Sequence, residues 1–177
     1  MNRRADDETG ITLVELIIYV LLAALFLGLM AILFANGWRS QTATTERDSA
    51  TGRAAVISNS LQTSIRNADS FLLEAGGTVL RAKVAVGSSG VECRAWAIVG
   101  GNLTYTSTPT IGPLDITSPA TWTPLAEGVT GTFAATPAAT GPRLDYNLTL
   151  TVADQTVPVA GGVTRQAKIE GEGSCWP

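Results

Sequence analysis

The sequence contains no histidine and only two cysteines, Cys93 and Cys175. The lack of histidine excludes Ser-His-Asp and Cys-His catalysis, as well as histidine-ligated zinc or haem. Two cysteines this far apart form neither a CxxC redox pair nor a thiolate metal site. We therefore expect a protein that is not an enzyme and that holds no metal ion and no cofactor.

Basic residues are also scarce, with 12 Lys and Arg against 15 Asp and Glu, a net charge of −3 and a pI of about 4.9. A nucleic-acid-binding protein usually carries a basic patch that neutralises phosphates. We expect no nucleic-acid partner.

The first proline in the sequence is Pro109, so no proline interrupts a helix within residues 1–108. Residues 11–35 are apolar for about 25 residues, enough to cross the roughly 30 Å hydrocarbon core of a bilayer. Glu15 is the one charged residue among them. A carboxylate at the centre of a membrane helix costs roughly 2.5–3.5 kcal/mol, and less near its end.

Residues 36–75 are polar but carry apolar residues at spacings of three and four, which predicts an amphipathic outer helix that buries one face. These residues are Ile57, Leu61, Ile65, Ala68 and Leu72. Gly76 and Gly77 are expected to end this helix. Threonines 42, 44 and 45 and Gly52 are weak helix formers, so a kink or break within residues 36–52 is an open alternative.

Residues 76–177 favour β structure. The pattern predicts a hairpin around Gly100-Gly101-Asn102 and a Pro/Thr/Ser-rich loop over about 107–124. Further strands are predicted at 78–87, 129–136, 143–153 and around 163–171. The fold class is therefore α+β, a long N-terminal helix packed on a small antiparallel sheet.

Two ordinary interpretations of residues 11–35 compete. A secretory signal peptide has a shorter apolar run and a small-x-small cleavage site, which "ILFANGW" does not offer. A plain single-pass anchor would tolerate Glu15 because it lies close to the end of the span.

The residues around Glu15 are "G-ITLVE-LIIYV", a glycine, an apolar residue and a glutamate fifth from it. This stretch, from Gly10 to about Ala35, resembles the type III signal of type IV prepilins and type II secretion pseudopilins. Thr9 and Ile11 differ from the basic residue and the phenylalanine usual there. The resemblance implies that residues 1–10 are a leader, that prepilin peptidase cuts between Gly10 and Ile11, and that Ile11 is N-methylated.

The same resemblance implies that Glu15 sets the register of assembly by pairing with the amino group of a neighbouring subunit. Its partners would be other pilin or pseudopilin subunits, an inner-membrane assembly platform and, before assembly, membrane lipid. The chain would be a bacterial inner-membrane protein with a cytoplasmic N-terminus and an exported β domain. Arg3 and Arg4 favour that orientation.

Later segments resemble the PilW/PulJ type of minor pilins and pseudopilins, which lie at filament tips or initiate assembly. These segments are "IRNADSFLL", "CRAWAIVGGNLTYTST", "WTPLAEGVTGTF" and "RLDYNLTLTV". The alternative function is a non-polymerising, membrane-anchored surface protein that binds a ligand through its β domain. Processing after Gly10 discriminates the two.

In an exported domain, Cys93 and Cys175 are candidates for a disulfide that would pin the tail to the sheet, the alternative being two unpaired buried thiols. Trp96, Trp122 and Trp176 invite a carbohydrate-binding interpretation, although aromatic residues in a small β domain more often pack in the core. Asp115, Asp145 and Asp154 could ligate calcium, but no D-x-D-x-D loop is present, so no metal site is predicted.

Overall fold

The computed structural model describes residues 12–87, 90–137, 141–153, 155–168 and 173–177. The chain divides into two compact units, one ending at Thr45 and the other running from Glu46 to Pro177. The secondary structure is one long helix followed by eight strands, so the predicted α+β class is confirmed.

Helix α1 runs from Leu13 to Arg66. Residues 36–52 are helical throughout, so the break considered there does not occur. Threonine hydroxyls along this stretch donate to the carbonyl four residues earlier, as in Thr44 to Ser40 at 2.9 Å and Thr45 to Gln41 at 3.0 Å. These bonds satisfy the hydroxyls without interrupting the helix.

The helix ends nine residues earlier than the predicted boundary at 75. Residues Ala68–Glu74 form strand β1 instead, so Ala68 and Leu72 continue the apolar spacing but belong to a sheet. A short 3₁₀ turn, Ala75–Gly77, follows, in which Gly76 and Gly77 have positive φ.

The strands form two antiparallel sheets where one was expected. The first sheet has five strands in chain order, and a second 3₁₀ turn, Pro119–Thr121, precedes its last strand. The strands are β1 with β2 (Val79–Val86), β3 (Gly90–Val99), β4 (Asn102–Thr108) and β5 (Thr123–Glu127). The second sheet has three: β6 (Val129–Thr136), β7 (Arg143–Val152) and β8 (Gln155–Thr164).

The predicted apolar residues Ile57, Leu61 and Ile65 are fully buried and join both sheets in one core. The first sheet contributes residues such as Leu80, Trp96 and Leu103, and the second contributes Phe133, Leu144, Tyr146, Leu148 and Leu150. The alternation predicted along β7 is therefore confirmed, because its buried residues are every second one.

Polar bonds on the two flanks of the apolar stripe connect the helix to both sheets. On one flank, Ser58 lies 2.9 Å from the Tyr146 hydroxyl of β7, and Gln62 donates to that hydroxyl at 3.0 Å. On the other flank, Trp96 of β3 donates to Ser60 at 3.2 Å. Bonds on opposite sides fix the rotation of the helix about its own axis.

Candidate functional site

Helix α1 begins with a side-chain cap. Thr12 precedes the first helical residue, and its Oγ1 accepts a hydrogen bond from the backbone N–H of Glu15 at 3.3 Å. Its carbonyl accepts from the N–H of Leu16 at 3.1 Å. A threonine followed three residues later by a glutamate is the spacing of a capping box, and a carboxylate is favoured by the positive end of the helix dipole. Glu15 therefore also has a local structural reason to be where it is.

The Glu15 side chain is held by its own helix. The Tyr19 hydroxyl, one turn further along, donates to Oε1 of Glu15 at 3.1 Å, and both residues are exposed. A carboxylate has several acceptor sites, so a cation can still bind it while the tyrosine is in place. Tyr19 did not feature in the sequence analysis, although its i,i+4 position from the glutamate was a visible signal.

Gly10 and Ile11, the predicted cleavage site and methylation site, lie outside the described residues. The geometry that the structure gives therefore starts at Thr12. It places the Glu15 carboxylate in the first turn of the helix.

The N-terminal unit presents a long apolar surface. From Leu13 to Phe34 every large apolar side chain is exposed, with Leu13 at 75% and Phe34 at 72%. An exposed apolar surface of this size marks a lipid or protein contact. The helix is long and apolar enough to cross a membrane, which is compatible with a single-pass anchor.

Cys93 and Cys175 are joined in a disulfide with a Cα–Cα distance of 5.5 Å, the first of the two alternatives considered for these residues. Cys93 lies in β3, beside Lys83 of β2 in the register of the sheet. The bond brings residues 173–177 onto the face of the first sheet that does not meet α1.

Arg81, also on that outer face, reinforces the attachment of the tail. It is buried, pairs with Glu74, and donates to the carbonyl oxygens of Leu114 and Cys175 at 3.4 and 3.5 Å. The N–H of Leu114 donates to the Cys175 carbonyl at 3.1 Å. No local pattern indicated that an arginine in a predicted strand would hold both the tail and the long loop.

The carbohydrate-binding interpretation is wrong for Trp96, which is fully buried and packs against Tyr105 with ring centroids 5.4 Å apart and ring planes tilted by 50°. Trp122 and Trp176 are half-buried and lie in separate segments. The structure does not assemble the three rings into one aromatic platform.

The aspartates considered for calcium have local partners. Hydrogen bonds from the backbone and side chain of Thr117 lower the pKa of Asp115, and a hydrogen bond from Thr136, aided by Arg143, lowers the pKa of Asp145. Asp154 lies outside the described residues. Within the described ranges, no three His, Cys, Asp or Glu side chains are grouped to hold a metal ion.

Opposing effects act on the pKa of Glu92, a residue of β3 whose partner Arg94 contacts α1. Burial raises the pKa of Glu92, but hydrogen bonds from Arg94 and Ser107 and the positive charge of Arg94 bring it below the ordinary value of a glutamate overall. Arg94 in turn donates to Ser64 of α1 at 2.8 Å. This ion pair thus orients an arginine that binds the helix.

Comparison with protein-family models, with characterised proteins and with solved structures finds no significant match for this chain.

Proposed function

We propose that this chain is a structural minor pilin or pseudopilin subunit. In this role prepilin peptidase cuts it after Gly10, Ile11 becomes the methylated N-terminus, and the subunit enters a type IV pilus or a type II secretion pseudopilus, at the tip or in initiation. The observation that carries the proposal is Glu15, a carboxylate four residues after the predicted new N-terminus, in a helical segment whose other residues up to Ala35 are uncharged and exposed.

The chemistry of Glu15 supports a pairing role. The new α-amino group of a neighbouring subunit would be an ammonium ion among apolar side chains, where an unpaired ion is costly. Glu15 supplies the opposite charge, and the Tyr19 hydroxyl orients one of its oxygens at 3.1 Å. Because an ion pair forms only when the two helices are in register, it selects one axial offset between subunits.

The two units of the chain differ in a way that suits an assembly role for the first and an exported domain for the second. The first is an apolar helical surface on which the large side chains from Leu13 to Phe34 are exposed. The second has its own core and a disulfide, as suits a domain outside the cytoplasm. Low abundance at a tip is part of the PilW/PulJ resemblance and is proposed on that ground alone.

The decisive experiment is the intact mass and N-terminal sequence of the membrane-extracted protein expressed in its own host. A start at Ile11 with one added methyl group supports the proposal. A start at Met1 or a cut near residue 35 would overturn it and favour the anchored, ligand-binding alternative.

A matched pair of glycine variants sharpens the test. Gly10→Leu should leave a precursor longer by the ten-residue leader, since the glycine is the predicted recognition residue. Gly28→Leu, at a helix position with open space around it, should be processed normally. Equal processing of both variants would contradict cleavage at Gly10.

A further inference from the structure

The distance between the polar residues at the two ends of the apolar segment matches one bilayer. Glu15 and Asn36 enclose the twenty residues Leu16–Ala35, which carry no charge. At 1.5 Å per residue they extend about 30 Å along α1, the thickness of the hydrocarbon core.

An amphipathic aromatic residue marks each end of this segment. Near one end, the Tyr19 hydroxyl turns back to Glu15 at 3.1 Å, which carries its polar tip toward the boundary. Just beyond the other end, Trp38 is 64% exposed and its ring lies 6.2 Å from that of Phe34. Tyrosine and tryptophan concentrate where hydrocarbon meets the headgroups.

If the helix moved along the bilayer normal so that Glu15 entered the hydrocarbon, it would gain no additional apolar contact with lipid. A shift of four residues would bring Leu13 and Val14 into the hydrocarbon. The same shift would remove Ile32, Leu33 and Phe34 at the other end. A carboxylate costs free energy within the hydrocarbon even near the end of the span, and this shift brings no apolar gain to offset that cost, so the carboxylate decides the depth.

We infer that α1 binds a lipid bilayer at one fixed depth before assembly, with Leu16–Ala35 in hydrocarbon and the Glu15 carboxylate and Tyr19 hydroxyl at headgroup level. The inference rests on the membrane anchoring in the proposed function. It adds that Glu15 is hydrated in the free subunit and loses its water only when it meets a neighbour. Glu15 therefore acts first as a depth marker and then as a pairing group.

The test is a depth measurement on the full chain in phosphatidylcholine–phosphatidylglycerol vesicles. Cys93 and Cys175 are bonded to each other, so an introduced cysteine is the one thiol that takes a nitroxide label. Labels are placed singly at Leu13, Leu21, Ala23, Phe26 and Ile32. Their collision rates with oxygen and with an aqueous nickel chelate give the depth of each.

We expect the greatest depth at Leu25–Phe26, the midpoint of Leu16–Ala35, and access of nickel to the label at position 13. Glu15→Leu extends the apolar segment toward residue 11, so the point of greatest depth should move about two residues, or ~3 Å, toward the N-terminus. Glu15→Asp keeps the charge and should leave it unchanged.

A depth maximum at residue 23 in the unaltered chain, or one that Glu15→Leu does not move, would overturn the inference while leaving the membrane anchor intact. Nickel access at all five positions would overturn the anchor itself, and with it the membrane part of the proposed function.

Discussion

The Tyr19 hydroxyl donates a hydrogen bond to Oε1 of Glu15 at 3.1 Å, one turn along the same helix. A free glutamate side chain samples many rotamers, and ordering it costs conformational entropy. The tyrosine orients the carboxylate before any partner arrives. Glu15 and Tyr19 therefore act as a pair in the proposed register contact.

Glu15→Leu should leave the protein inserted and folded but unable to enter filaments or pseudopili, because the counter-charge is gone. Tyr19→Phe keeps the charge and loses one hydrogen bond, so incorporation should fall by about fivefold, equivalent to roughly 1 kcal/mol. The measurement is the fraction of protein recovered in sheared or pelleted assemblies. Normal assembly by Glu15→Leu would refute the register role.

The disulfide gives a second prediction. The variant carrying both Cys93→Ala and Cys175→Ala loses a cross-link between residues 82 apart in sequence. The free energy of unfolding should fall by about 2–4 kcal/mol, with an upper limit near 4.5 in the chain-entropy account. Urea unfolding of the full chain in detergent, followed by tryptophan fluorescence, measures the loss.

The C-terminal tail, residues 173–177, allows a local measurement on the same double-cysteine variant. Hydrogen exchange of residues 173–177 should rise well before global unfolding, since among the described residues the hydrogen bonds left to the carbonyl of residue 175 come from Arg81 and the Leu114 backbone. Chemical reduction of the unaltered protein should reproduce the effect. If tail exchange does not change, the disulfide is not what holds the tail.

The sequence predicted the central elements and the edge strand β6, but it missed the extent of the other edge strands. The apolar stripe of α1, the β3–β4 hairpin and the alternation in β7 all follow from local periodicity. The two strands that differ most, β5 and β8, are both edge strands and contain Pro124 and Pro158. Proline and glycine indicate loops in a sequence, but an edge strand tolerates them because one side has no ladder to complete.

The end of α1 was missed for a different reason. Ala68 and Leu72 continue the helical spacing, and no glycine or proline intervenes before Gly76. Pairing with β2 turns residues 68–74 into a strand, with Leu72 opposite Arg81. Here tertiary structure overrides the local helical preference. The contacts of Tyr146 and Arg81 could not be predicted either, because they too depend on the tertiary structure.

Tyr146 gives a third prediction, at the contact between α1 and the second sheet. Tyr146→Phe removes the hydroxyl that meets Ser58 and Gln62, while Gln62 keeps its bond to Ser58 at 3.1 Å. We expect a loss of about 1–1.5 kcal/mol in the free energy of unfolding. Double-mutant analysis with Ser58→Ala should show coupling of about 0.5 kcal/mol or more, whereas additive effects would argue against the network. Tyr105→Phe, at a half-buried tyrosine that contacts Trp96 through its ring, serves as control.

Two adjacent glycines give the last prediction. Gly76 and Gly77 both have positive φ, at 67° and 87°, but a Cβ at Gly76 would meet open space. A Cβ at Gly77 would lie 2.4 Å from the backbone oxygen of Phe133 in β6. Gly76→Ala should therefore lower the free energy of unfolding by about 1 kcal/mol, because alanine disfavours the left-handed backbone conformation. Gly77→Ala has the same backbone cost and must also displace a strand of the second sheet.

Gly77→Ala should therefore lower the free energy of unfolding by at least twice as much as Gly76→Ala, measured by urea unfolding of the full chain in detergent. The difference between the two variants isolates the contact, because the backbone cost is common to both. If the two variants lose equal stability, the close approach of Gly77 to Phe133 does not constrain how the 3₁₀ turn packs on β6.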